Sequence, residues 1–324
     1  MPNPTYRVSS IARGGGRRSS VGMAAYGSGQ TLKVVSILAA ASYRSGQPLR
    51  DHKENVVYDY SDREDVRYTA ILAPEHVPDE LLDRETLWNA VEIRENRKNS
   101  RLARSIIIAL PRELELEQNI ALLREHVQDT YVAEGMIADI AIHDKESSDG
   151  GTNPHAHVLL TVREIGEDGS WAKNKNRRWD GYETREDREA RQAAGMPSIM
   201  ERWRLAWETA QNAHLEAAEI EARISMESYA DQGINRTPTR HRGPRVDKLE
   251  EKGVDTRVEE HNRSIRHENL MRGMVDTMTP LHEDDFLPAE HHAWEEAMLQ
   301  AHEIARIQAA ETAQSAELAL GDED

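Results

Sequence analysis

Cysteine is absent from this 324-residue chain. That excludes disulfides and thiol chemistry and suits a cytoplasmic protein. Phenylalanine occurs once and hydrophobic residues total 38%, so we expect a modest core of Val, Ile, Leu and Ala within one to three domains. No apolar run approaches membrane-span length, and the N-terminus lacks a basic-then-apolar leader pattern, so no membrane insertion is expected. Acids are missing from the start of the chain. The first is Asp51, after an uncompensated series of Arg7, Arg13, Arg17, Arg18, Lys33, Arg44 and Arg50. Yet the formal net charge is −17, and from His291 onward Arg306 alone stands against Glu295, Glu296, Glu303, Glu311, Glu317, Asp322, Glu323 and Asp324. Net charge bears on solubility, whereas a local basic patch bears on the partner.

Histidine is present in an informative spacing. The segment Asn153-Pro154-His155-Ala156-His157-Val158-Leu159-Leu160-Thr161-Val162 reads as a strand. Residues i and i+2 of a strand share a face, so His155 and His157 point one way, while Ala156, Val158, Leu160 and Val162 form a core face. Upstream, Ala138-Asp139-Ile140-Ala141-Ile142-His143 puts Asp139, Ala141 and His143 on one face. The polar, Gly-rich link between the two segments reads as a loop. Antiparallel pairing would then bring His143, His155 and His157 to one end of a sheet. Neutral imidazole is a common ligand of catalytic metals, and three protein ligands leave positions open for substrate.

Thr5 to Arg13 reads as a strand, and Arg17 to Gly29 as a small-residue helical stretch. A second helix is expected with Leu32, Val35, Ala39 and Tyr43 on one face, ending at Gly46. The two stretches echo each other: Ala24-Ala25-Tyr26-Gly27-Ser28-Gly29-Gln30 resembles Ala41-Ser42-Tyr43-Arg44-Ser45-Gly46-Gln47, as a short tandem duplication would. Further strands are expected at Val56–Tyr60, Tyr68–Ala73 and Ala103–Leu110, the last apolar enough to be central. Helices are expected near 78–99, 113–132 and 199–224. Between Trp171 and Trp179, Lys173, Lys175, Arg177 and Arg178 alternate with other residues. That suits bases stacking on indoles and phosphates meeting cations, or a solvated charged loop. Residues 231–253, with Arg240 and Arg242, read as an extended basic arm or a linker.

Tyrosine can act as a covalent nucleophile. Against a phosphodiester it conserves the bond as a phosphotyrosine, which a free 3′-hydroxyl can reverse. A divalent metal on the three histidines would stabilise charge on the phosphate. These parts resemble the MobA/MobL family of plasmid mobilisation relaxases. The segment Asn153 to His157, preceded by Ala141-Ile142-His143, is similar to the family's HUH histidine motif. So are Tyr43-Arg44-Ser45-Gly46 followed by Asp59-Tyr60, Ile71-Leu72-Ala73-Pro74, Ile108-Ala109-Leu110-Pro111, Arg202 with Leu205-Ala206-Trp207, and Tyr229 to Ile234 with Pro238, His241 and Gly243-Pro244. The likeness runs from about Tyr6 to Arg263.

The resemblance implies an α+β, HUH-endonuclease-like fold: a central antiparallel sheet of about five strands flanked by helices, with a helical C-terminal extension. It implies nicking of single-stranded DNA at an origin of transfer through a 5′-phosphotyrosyl intermediate, with Mg²⁺ or Mn²⁺ at His143, His155 and His157. Imidazole is not a typical magnesium environment, so the ligands alone do not name the metal. Relaxosome accessory proteins and a conjugative coupling protein are the implied partners. One tyrosine motif is expected and two are present. Tyr26 stands at the expected distance from the first strand, whereas Tyr43 carries the fuller motif and is favoured. DNA contacts are expected from Arg7, Arg13, Arg17, Arg18, Arg44, Lys173, Lys175, Arg177, Arg178, Arg240 and Arg242. The expected organisation is a minimal relaxase: a nicking domain over 1–225, a basic arm over 226–263 and an acidic helical tail over 264–324. Three rival readings stay open: a rolling-circle replication initiator, a metal hydrolase using water, and a non-catalytic single-strand binder with a decayed centre.

Overall fold

The computed structural model describes residues 6–13, 31–34, 36–146, 151–240, 246, 249 and 252–277. In chain order these form β1 (Tyr6–Arg13), β2 (Thr31–Val34), α1 (Ile37–Ser45), β3 (Leu49–Asp51), β4 (Val56–Tyr58), β5 (Val66–Leu72), α2 (Arg84–Arg94), β6 (Arg101–Ala109), α3 (Leu116–Val127), β7 (Ala138–Glu146), β8 (Thr152–Leu160), α4 (Arg185–Ala193), α5 (Ile199–Ala217) and α6 (Arg257–Thr277). Six strands make one sheet in the order β2-β1-β6-β8-β7-β5, and β3 and β4 form a separate hairpin. Neighbours in the sheet are antiparallel except β1 and β2, which are parallel. The chain divides into two units, Met1–Ser228 and Tyr229–Asp324.

Alternation along the strands sets the layers. Ile140, Ile142, Ala156, Val158 and Leu160 join Tyr6, Ile106 and Ile108 in a core completed by Leu122, Leu123 and Val127 of α3 and by Trp203, Trp207 and Leu215 of α5. Ala103 and Leu159 face the other way, into a second core with Ile37 and Leu38 of α1 and Leu87, Trp88 and Val91 of α2. The apolar run in β6 is central, as expected: β1 and β8 flank it and both its faces are covered.

The helix expected from Leu32 starts later. Thr31, Leu32, Lys33 and Val34 pair with Ser10, Ile11, Ala12 and Arg13 of β1. Ladder bonds to an open strand edge hold this segment extended, which suits its β-branched content. Ser36 then caps α1, its side chain accepting from Leu38 N–H at 3.1 Å, and the left-handed Gly46 (φ 64°) closes it. The other long helices are shorter than their periodicity suggests: Asp83 caps α2, a capping box starts α3, and a wider turn over Gln128–Val132 follows α3. In the second unit Thr237 and Arg240, of the expected arm, are bonded to side chains of α6. Asn262 exchanges two bonds with the Arg240 backbone (2.6 and 2.7 Å), and Asn269, seven residues on, does the same for Thr237 (2.8 Å each). Residues 278–324, which hold most of the acidic tail, lie outside the described residues. Among the described residues no helix is long and apolar enough to cross a membrane.

A charged pair lies inside the second core. Asp139 of β7 accepts from Arg84 Nε at 2.9 Å, Arg84 Nη2 at 2.8 Å and Trp88 Nε1 at 2.8 Å. The Arg84 and Asp139 side chains are only 7% and 6% exposed. The pair pins α2 to the strand that carries His143. Removing one partner strands a buried charge, so Asp139→Ala is expected to destabilise the fold by about 3–5 kcal/mol, and adding Arg84→Met should recover much of the loss. Urea denaturation of the single and double variants checks this.

The first core holds a polar chain. The Tyr6 and Tyr131 hydroxyls bond to each other, and His126 Nε2 meets the Tyr131 hydroxyl at 3.2 Å. Burial pushes His126 down to about 3, whereas an unfolded histidine titrates near 6.5. The unfolded chain therefore binds the proton first. The stability tied to neutral His126 is fully present above about pH 6.5 and is lost as pH falls toward 3, at about 1.4 kcal/mol per pH unit. The denaturation midpoint of His126→Gln is expected to fall less steeply than wild type between pH 7 and 4. Parallel slopes would show that His126 does not distinguish the two states.

Candidate active site

The β7–β8 register pairs His143 with His155 and Ala141 with His157. Ring centroids lie 5.5 Å apart for His143–His155, 4.5 Å for His143–His157 and 5.1 Å for His155–His157. One nitrogen from each ring falls within 4.8 Å of the others. His143 is fully buried, and His155 and His157 are half-buried. His143 Nε2 bonds the Arg44 carbonyl at 2.6 Å and His155 Nδ1 bonds the Asn153 carbonyl at 2.8 Å. Such bonds orient imidazoles and select their tautomers. Burial pushes His143 down to about 4. Burial also lowers His155, and it lowers His157 furthest, reinforced by the neighbouring His143 and Arg44. At neutral pH all three rings are therefore uncharged and keep lone pairs. His157 Nδ1 is buried with no hydrogen-bond partner among the described residues. A divalent cation fits this donor set. His143 has both nitrogens engaged, by the Arg44 carbonyl and by Arg63, so its coordination would release one of those contacts.

Tyr43 sits in the last turn of α1, half-buried. Its ring meets Tyr60 edge-on at 5.4 Å, and the Arg63 guanidinium lies 4.1 Å from its centroid. Arg63 Nη1 donates to the Tyr43 carbonyl at 2.9 Å, while Nε and Nη2 donate to Asp65 at 2.9 and 2.5 Å. Arg63 Nη2 is also 3.3 Å from His143 Nδ1. The hydrogen bonds from Arg63 hold the Asp65 carboxyl below its ordinary range. Arg63 and Asp65 were not singled out from sequence. They lie in the mixed-charge run Asp62-Arg63-Glu64-Asp65, which reads as a solvated loop.

The expected DNA-contacting cations divide into groups. Tyr26, Arg17, Arg18 and Arg242 lie outside the described residues. Arg13 is not uncompensated: it pairs with Glu92 of α2. Arg44 donates to the Ala40 carbonyl at 2.9 Å and Ser105 Oγ at 3.3 Å, and burial lowers it to about 10. Lys175 pairs with Glu95 at 2.9 Å and donates to the Arg101 carbonyl. These three tie elements of the fold together. Arg7 is half-buried and shares a cross-strand row with His157, since both register with Ile107. Lys173, Arg177, Arg178 and Arg240 are exposed. The expected base-stacking indoles are corrected. Trp179 is 2% exposed in the first core, and Trp171 packs on the second. Both rings are more valuable to the apolar layers than to a polar surface. An aromatic close by in sequence that does lie open is Tyr182, with Arg177 4.0 Å above its ring.

Comparison with known proteins gives concordant matches. The pattern describing the MobA/MobL family matches residues 35–252. The chain is similar to "Probable mobilization protein MobA" of Bifidobacterium longum, 32% identical over 71% of this chain and 44% of the other. It is also similar to "Probable conjugal transfer protein TraA" of Sinorhizobium fredii, 35% identical over 78% of this chain and 22% of the other. It spans less than half the length of these two curated relatives. A solved structure described as "Molecular Basis of Vancomycin Resistance Transfer in Staphylococcus aureus" is 36% identical, covering 60% of this chain and 92% of that one, with a TM-score of 0.49. The family match takes in most of the chain, including Tyr43 and all three histidines, and on that extent the chain belongs to the MobA/MobL family.

Proposed function

We propose that this chain is a relaxase that nicks one DNA strand at a plasmid origin of transfer for conjugative mobilisation, with Tyr43 as the nucleophile. The observation that carries this reading is the docking of the last turn of α1 against the histidines, where the carbonyl next to Tyr43 bonds His143. The names of the relatives, mobilization and conjugal transfer proteins, support it. The family match begins at residue 35, so it includes Tyr43 and leaves out Tyr26.

The Tyr43 hydroxyl oxygen forms a bond to phosphorus as the bond to the 3′-oxygen breaks. The phenol loses its proton and the departing oxygen gains one. The strand is left as a 5′-phosphotyrosyl end and a free 3′-hydroxyl, and the reverse attack reseals it. The chain's own contribution is orientation of phenol and phosphate at one place. His143, His155 and His157 would hold Mg²⁺ or Mn²⁺, which when bound supplies positive charge to a phosphate oxygen. Arg7, Lys173, Arg177, Arg178 and Arg240 are the candidates for strand contacts, chiefly to phosphates. The same reading places the work in the cytoplasm, with relaxosome accessory proteins and a coupling protein as partners.

Incubation with single-stranded oligonucleotides from the origin region is expected to give a covalent protein–DNA adduct. Tyr43→Phe should cut its yield by at least about a thousandfold, and Tyr26→Phe should keep it. Loss only in Tyr26→Phe overturns the residue, and cleavage without any adduct favours attack by water. Binding without cleavage would favour the decayed centre. In a separate measurement, His157→Ala is expected to weaken Mn²⁺ binding about tenfold or more, read from the paramagnetic resonance of free Mn²⁺. Unchanged binding would remove the metal from this site.

A further inference from the structure

We infer that Arg63 is the positioning residue for Tyr43, holding the phenol in register with the histidines. This deepens the nicking reading and rests on it. A tyrosine in the last turn of a short helix has two side-chain torsions to settle before its hydroxyl can attack in line. Here one ring face is covered by Arg63 at 4.1 Å, and the Tyr60 ring approaches at 86°. Arg63 also holds the Tyr43 backbone, through the carbonyl at 2.9 Å.

Arg63 is itself constrained. Asp65 takes two of its N–H groups, and the two side chains are 14% and 12% exposed. The Asp65 carbonyl accepts from Asp144 N–H at 2.8 Å, so this anchor joins β7 next to His143. Arg63 Nη2 then meets His143 Nδ1 at 3.3 Å. One guanidinium thus touches the nucleophile's ring, its backbone and a histidine. Stacking and forked donation together need a planar, delocalised cation, which lysine does not supply. Displacing a reacting group by about an ångström can cost about a hundredfold in rate, so a clamp of this kind acts on rate and leaves strand affinity alone.

The test uses the full chain with Arg63→Met and Arg63→Lys, measuring single-turnover adduct formation beside equilibrium binding of the same oligonucleotide. The expected result is a fall of about a hundredfold in rate for Arg63→Met, an intermediate fall for Arg63→Lys, and Kd within about threefold of wild type. Methylguanidinium added to Arg63→Ala is expected to restore about tenfold of the rate, which a purely structural role would not permit. A rate within about twofold of wild type in Arg63→Met overturns the inference, as does a parallel loss of rate, Kd and thermal stability. Nitration of Tyr43 by tetranitromethane, read by peptide mass spectrometry, is independent of nicking. It should rise about threefold or more in Arg63→Met as the ring is released, and unchanged nitration overturns the clamp. If wild type forms no adduct on any strand while nitration rises in the variant, the nicking reading fails and the clamp stands.

Discussion

The pairing of His143 with His155 across β7 and β8 is the constraint on which the site depends. Side chains alternate between the two faces of a strand, so a slip of one residue would exchange them all. A slip of β7 would turn Ile140 and Ile142 away from α3 and α5 and put His143 into the apolar layer, and a slip of β8 would do the same with Val158, Leu160 and the other two imidazoles. The apolar residues between the histidines therefore hold the register, and the donor set inherits its precision from core packing. Burial in that setting also keeps the rings neutral.

A second constraint fixes what faces the histidines. Asp139 holds Arg84 and Trp88 of α2 against β7. Further along α2, Glu92 accepts from Ile37 N–H at 2.8 Å, at the start of α1, and pairs with Arg13 of β1. A carboxylate at a helix N-terminus is favourably placed for the helix dipole. At the other end of α1, the Arg44 carbonyl, next to Tyr43, meets His143. The route from sheet to Tyr43 thus runs through two buried acids on the face opposite α3 and α5. Such pairs add little net stability, but each is costly to half-break, so together they disfavour alternative placements of α1.

The charge pattern takes on a different meaning in three dimensions. Arg13, Arg44 and Lys175 serve internal bonds, and Arg163 joins Lys175 on Glu95. Of the cations expected to meet a strand, Lys173, Arg177, Arg178 and Arg240 are exposed. A net charge of −17 does not by itself exclude an anionic partner, because local exposed cations rather than the total set what a surface attracts.

Local pattern alone determined a good part of this protein. The period of two in Ala156, Val158 and Leu160 against His155 and His157 assigns faces without knowledge of the rest of the chain. Gly46 marks the end of α1 because a left-handed residue suits glycine. The apolar run in β6 announces a central strand. Tertiary structure decided the remainder. Leu32 has helical spacing to Ala39 and Tyr43, yet the open edge of β1 takes it into a strand. Trp179 sits among basic residues, yet the core takes its ring. Arg13 meets Glu92 and Arg63 meets His143 across separations of 79 and 80 residues. Periodicity and caps act within a turn or two of chain. Which distant edge, cavity or counter-charge a residue finds depends on competition among all the surfaces the folding chain must bury, and no local window contains that competition.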